Sequence, residues 1–149
     1  MISQRIFFAT HEVSNPLRSP LTKARVRQAI CYLFQQEQQR FSRLLYVFCS
    51  DAYLLALNQQ YLQHDTYTDI LTFDLTTPPQ LLEGEIYISI LRVKENARKF
   101  GVPFPEELAR VMFHGALHLC GYDDQDEKSR QLMRAKEEAY LAYLRGLLG

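Results

Sequence analysis

The chain has 149 residues, enough for one domain with a proper core. Lys plus Arg number 17 and Asp plus Glu number 17, so the formal net charge is zero and a strong global nucleic-acid footprint is excluded, though a local basic patch is not. The composition, 47% hydrophobic and 23% charged, also excludes disordered and collagenous classes.

Residues 3–13 hold Ile6, Phe7, Phe8 and Val13 and read as a first strand. Asn15-Pro16 and Ser19-Pro20 are turn and helix-start signals, with Ser19 as the cap and Pro20 at the first helical position. A helix over 22–38 places Val26, Ala29, Ile30, Leu33 and Phe34 on one inner face. Residues 44–49 (LLYVFC) are apolar without alternation, the pattern of a buried strand. Ser50 and Asp51 open a second helix to about residue 61, carrying Leu54, Leu57 and Tyr61.

A polar loop follows over 63–68 (QHDTYT), then a strand over 70–75 (ILTFDL). The stretch 76–83, with Pro78-Pro79, reads as a loop, and Gly84 opens a strand over 85–89. A helix over 91–100 ends at Gly101. Pro103 and Pro105 punctuate, and Glu106-Glu107 face the positive end of the next helix. Residues 128–148 form a long amphipathic helix. The order β-α-β-α-β-β-α-α-α implies an α/β layer fold: a single domain over 1–149 with a small mixed four-stranded sheet and about five helices.

Cys31, Cys49 and Cys120 are odd in number, unclustered and set in apolar segments, so they read as buried free thiols in a reducing compartment. The N-terminus lacks the apolar core of a signal peptide, and no run approaches the roughly 20 apolar residues of a membrane span. A cytoplasmic protein with no membrane partner is expected.

The most informative stretch is 111–126, VMFHGALHLCGYDDQD. His114 and His118 lie one helical turn apart on one face. At about 100° per residue, with His114 at zero, His118 lies near 40° and an apolar stripe from Ala109 to Cys120 falls roughly between 160° and 300°. The two His therefore point away from the stripe. Gly115 beside them leaves room for something, at a cost of about 0.5–1 kcal/mol relative to Ala. Gly121 is a helix stop, and Asp123, Asp124 and Asp126 follow it as rival carboxylates. Two imidazoles and a carboxylate form a known catalytic zinc set, with a fourth position open for water.

The segment HGALHLCGYDD resembles the signature of the YbeY family, bacterial metal-dependent endoribonucleases of ribosomal RNA maturation, whose motif is HGxLHLxGYDH. The match holds at His114, Gly115, Leu117, His118, Leu119, Gly121, Tyr122 and Asp123. It breaks at the last position, where the family's third His is Asp124 here. Two further matching blocks run from Leu57-Asn58 to Phe73 and over residues 84–89. The resemblance implies one zinc ion per chain held by His114, His118 and Asp124. It implies a single-strand-specific endoribonuclease in ribosomal RNA processing and ribosome maturation, with small-subunit proteins as further partners. Asp is an acceptable zinc ligand at about 2.0–2.2 Å, and its charge makes the metal a weaker Lewis acid.

The family commonly has Arg where this chain has Leu62 and Lys where it has His64, so two cations of the common pattern are missing. Arg92, Lys94, Arg98 and Lys99 could replace them, but read first as a solvated helix face. His64, Glu85 and Asp123 are the candidates for catalytic or orienting roles, with Asp123 also a partner to the ligands and His64 first an exposed bystander. Thr68, Asp69 and Thr72 match a family block. Asp69 reads first as satisfying backbone donors at a strand start and second as a cleft wall. Zinc hydrolysis serves phosphodiesters and amides alike. The H-E-x-x-H peptidase base is replaced by Gly115, so a metallopeptidase would need another acid. Leu62, His64 and the zero charge would instead suit a ribosome-associated binding protein with a structural zinc.

Overall fold

The computed structural model describes residues 4–62 and 68–149; His64 and the side chain of Leu62 lie outside the described residues. The elements are β1 (Arg5–His11), α1 (Lys23–Gln36), β2 (Phe41–Cys49), α2 (Asp51–Leu62), β3 (Ile70–Asp74), β4 (Leu82–Ser89), α3 (Ile90–Phe100), α4 (Phe104–Leu119) and α5 (Glu127–Leu148). Among the described residues they give the expected α/β architecture, with one four-stranded mixed sheet and five helices.

The apolar strands set the sheet order β1-β2-β4-β3. β1 and β4 both pair in parallel with β2, and β3 runs antiparallel to β4 on the edge. Parallel neighbours need a crossover connection, which α1 supplies between β1 and β2. One face of the sheet carries α4, which touches α1, α3 and α5 as well as β3 and β4. The other face carries α2, which touches β3 and β4.

Ten residues of α4 are buried, so it is the central helix and not a surface amphipath. Leu108, Val111, Met112, Phe113 and Leu117 are each at most 2% exposed. Each such side chain contributes about 1.5–3 kcal/mol on burial, so the helix that carries the two His is firmly held. The buried Tyr46 hydroxyl donates to the Met112 carbonyl at 2.9 Å, fixing the helix to β2 by a polar contact as well.

Several boundaries differ from the sequence reading. The α1 cap is Thr22, whose Oγ1 accepts from the Arg25 amide at 3.3 Å, so Ser19-Pro20 lie ahead of the helix and do not begin it. β2 begins at Phe41, because Ser42 and Arg43 are half-buried strand residues with an apolar residue on either side. β4 begins at Leu82: Phe41 faces Leu82, Arg43 faces Glu83, and the Glu83 amide donates to Thr76 Oγ1 at 3.0 Å. Backbone pairing there overrides a loop-like composition.

Candidate metal centre

Helix α4 ends where the ligand set requires a reversal. Cys120 caps it, and Gly121 takes φ +105°, a left-handed conformation open to glycine. The Gly121 amide donates to the His118 carbonyl at 3.0 Å and the Tyr122 amide to the Leu117 carbonyl at 3.1 Å. The chain then folds back over the helix end. Tyr122 donates from its hydroxyl to Glu37 Oε1 at 2.6 Å, tying this turn to the end of α1. Tyr140 and Lys136 of α5 donate to the same carboxylate.

This reversal brings Asp124 to the two imidazoles. His118 Nε2 lies 3.0 Å from His114 Nε2, and Asp124 Oδ2 lies 3.3 Å from His114 Nε2 and 3.9 Å from His118 Nε2. Ligands about 2.0–2.1 Å from a tetrahedral zinc sit roughly 3.3 Å from one another, so the three donors fit one ion. Among the described residues these three form the one such cluster of His, Cys, Asp and Glu.

His114 is oriented from behind. Its Nδ1 lies 2.6 Å from Glu137 Oε2 on α5, which leaves Nε2 facing His118 and Asp124. Glu137 is 3% exposed, and its other oxygen accepts from Arg110 Nη1 at 2.9 Å. Arg110 also grips buried Glu107, donating from Nε at 2.9 Å. Burial works to lower the His114 pKa, but the Glu137 hydrogen bond and charge, then Asp124 and Asp69, leave it raised. Burial, and next the His114 charge, push the His118 pKa down.

The three donors open on a cleft of about 380 Å³ whose far wall is β3 and the residues before it, including Thr68, Asp69, Thr72 and Asp74. Asp69 therefore lines the cleft. Among the described residues its carboxylate accepts from the Asn96 amide at 3.2 Å, a side-chain donor and not a backbone one.

A family model described as Endoribonuclease YbeY matches residues 9–145. The chain belongs to the YbeY endoribonuclease family. Two YbeY endoribonucleases illustrate the likeness. That of Flavobacterium psychrophilum is 52% identical over 105 residues, 70% of this chain and 74% of the relative. That of Cytophaga hutchinsonii is 42% identical over 142 residues, 95% of this chain and 97% of the relative. A solution structure of a Thermotoga maritima protein superposes with a TM-score of 0.64 at 31% identity, covering 93% of this chain and 89% of that one. The YbeY motif as it stands in this chain thus coincides with the place where His114, His118 and Asp124 meet.

The rival acids have other places. Asp126 caps α5, its Oδ1 accepting from the Ser129 amide at 2.7 Å. Asp123 is exposed, its Oδ1 accepting from the Gln125 amide at 3.4 Å. Glu85 does not adjoin the His pair. Along β4, Gly84 and Ile86 face α4, so Glu85 and Tyr87 face the α2 side. Cys120 is half-buried, its thiol pushed up to about 12 by burial, and it is not part of the cluster that His114, His118 and Asp124 form.

Gly115 has a role different from the expected one. A Cβ at 115 would meet Ile86 Cγ2 at 2.8 Å and Ile70 Cδ1 at 3.0 Å, so its space is filled by the sheet and not by a ligand. No peptidase-type Glu fits there. Arg92 is gripped by Asp51, its Nε and Nη2 donating at 3.0 Å to either oxygen. Among the described residues no Lys or Arg lines the cleft.

Glu137, Arg110 and Glu37 were not singled out by the sequence reading. Glu137 sits on the buried side of an amphipathic helix, and that break in the apolar pattern is the one signal that could have found it.

Proposed function

We propose that this chain is a zinc-dependent endoribonuclease that cuts single-stranded RNA during ribosomal RNA maturation in the cytoplasm, with residues 1–149 acting as one unit. The observation that carries this reading is the convergence of His114 Nε2, His118 Nε2 and Asp124 Oδ2 at spacings that suit one tetrahedral ion. Family membership supplies RNA as the substrate class. Among the described residues no helix is long and apolar enough to cross a membrane.

A bound zinc ion supplies a Lewis acid that polarises a phosphoryl oxygen and lowers the pKa of water toward 7. The chain's own residues do the rest. Glu137 holds the His114 ring with Nε2 forward, and Arg110 holds Glu137 in place. The Tyr122–Glu37 bond sets where Asp124 returns over the helix end. Asp69, held by Asn96 in the cleft wall, is the proton acceptor. The cleft carries Asp69, Asp74 and Asp124 against no Lys or Arg among the described residues, so a phosphodiester would be repelled from it without a bound cation.

The test is zinc content and RNA cleavage side by side. Wild type is expected to hold one zinc per chain and to cut a single-stranded RNA, with activity lost on chelation and restored by metal. Asp124→Ala should lose metal and Asp124→His should keep it. Asp69→Asn should keep metal and lose turnover about 100-fold or more. Cleavage by the chelated protein, or full metal in Asp124→Ala, would overturn the assignment.

A further inference from the structure

A second concave site lies on the face of the sheet away from α4. It is a groove of about 340 Å³ between α2 and strands β3 and β4, lined by Tyr53, Tyr61, Phe73, Tyr87 and Glu85 among others. The volume is that of a small-ligand pocket. Its walls are aromatic. The Tyr61 and Phe73 rings meet at 77° with centroids 6.0 Å apart, and Phe73 and Tyr87 meet at 85° and 5.7 Å. Tyr61 is 60% exposed, so a flat face is open to an incoming ring.

One charge stands in this aromatic surround. Glu85 Oε1 accepts from the Tyr87 hydroxyl at 2.8 Å, and Glu85 Oε2 lies 3.8 Å from Arg43 Nη1. A carboxylate offers about four acceptor sites, so a carboxylate fixed in this way can still take further donors. The groove therefore offers planar stacking and an acceptor-only edge.

The groove also adjoins the metal cleft through one strand. Thr72 and Asp74 of β3 line the cleft, and their sequence neighbours Phe73 and Leu75 line the groove. Among the described residues β3 is an edge strand, paired only with β4, so a chain can cross it without threading the sheet.

We propose that this groove is a base-binding subsite for the single-stranded RNA whose phosphodiester occupies the cleft, and that Glu85 makes it prefer guanine. The proposal rests on the endoribonuclease reading above. A single-stranded base is bound by stacking on aromatic side chains and by hydrogen bonds to its Watson–Crick edge. Guanine presents two adjacent donors, N1–H and the exocyclic amine, which match a carboxylate's two oxygens. Adenine, cytosine and uracil each place an acceptor beside their donor on that edge, and a carboxylate repels it. Arg43 beside Glu85 offsets the cost of a negative side chain near a polyanion.

The experiment uses the full chain with its metal bound and RNA whose backbone is made resistant to cleavage, so that binding is read without turnover. Fluorescent single-stranded RNA of mixed sequence is titrated against wild type, Tyr61→Ala and Glu85→Gln, together with oligomers in which every guanosine is replaced by inosine or by adenosine. Wild type should bind the guanosine oligomer most tightly, inosine less and adenosine least. Tyr61→Ala should weaken all of them about tenfold, as expected for one lost stacking contact. Glu85→Gln should erase the ranking. Circular dichroism checks that each variant is folded; Tyr61 is exposed enough for its truncation to be tolerated. Equal affinity and equal ranking in all three proteins, with the metal-loaded wild type still cutting RNA, would overturn the groove and leave the endoribonuclease reading intact. A wild type that neither binds nor cuts RNA would overturn both.

Discussion

On one face of the sheet, Leu44, Tyr46, Phe48, Ile86 and Ile88 are fully buried beneath the helix layer that contains α4. On the other face, α2 covers a smaller cluster, Val47, Cys49, Leu54 and Leu71, and leaves Leu45, Tyr53, Phe73 and Tyr87 only partly buried. The closed face carries the cluster of His114, His118 and Asp124 and the open face carries the aromatic groove. A metal set needs its donors held to a fraction of an ångström, which a tightly filled interior provides. A surface that takes flexible single strands needs exposed rings instead. β3 contributes to both: Thr72 and Asp74 line the cleft, and Phe73 lines the groove.

This contrast can be broken from the closed side first. Glu137→Ala should cost about 1–3 kcal/mol of stability, because His114 Nδ1 and one Arg110 N–H lose their buried acceptor. Its zinc affinity should also fall about 10–100-fold, since His114 loses the group that orients it. Urea denaturation and zinc titration check the two parts separately. Glu137→Gln should keep much of the stability and lose more of the affinity.

Gly115→Ala comes next. Its Cβ would press on Ile86 Cγ2 and Ile70 Cδ1, so α4 must lift from the sheet or the isoleucines must turn. A loss of about 1–3 kcal/mol is expected by chemical denaturation, with no gain from the better helix propensity of Ala. A stabilised variant would show that the two surfaces are less tightly pressed than described.

The pH dependence should be felt at Glu37. Burial works to raise its pKa, but the hydrogen bonds from Tyr122, Tyr140 and Lys136 outweigh it and the folded value is lowered. Its contribution is therefore present above the unfolded value and is lost as pH falls through the folded one. Stability of wild type should drop more steeply below about pH 4.5 than that of Glu37→Gln. Parallel curves would remove Glu37 from the account of how the Asp124 turn is held.

The smallest effect is on the open face. Tyr61→Ala should change stability by only about 0.5 kcal/mol, as for an exposed side chain. A large loss would mean that the groove is part of the core and not a binding surface.

Much of this was readable in the chain. The capless apolar run at residues 44–49, the Gly101 stop and the His114, His118, Gly121 spacing each follow from local rules, and the structure keeps them. What escaped depends on distant partners. Leu82 and Glu83 look like loop but are strand because β2 and Thr76 satisfy their backbone. Gly115 looked like space for a ligand, yet its neighbour is Ile86, far away in sequence. Ser19 lost the capping role to Thr22 because the chain turns later than its prolines suggest. Glu85 resembles a site residue by motif, but strand alternation sends it to the opposite face.

The chain of charges behind His114 bears on more than its orientation. Glu107 and Glu137 contribute two negative charges and Arg110 one positive, so this network is one positive charge short. A cation held on the forward side of His114 closes that gap through the imidazole. Metal supply would then govern how long the protein lasts as well as how it acts: at a free metal level a hundredfold above the dissociation constant, the folded state gains about 2.7 kcal/mol. In a metal-starved cell the same polypeptide would unfold more often and be cleared faster, so its abundance would follow the metal pool.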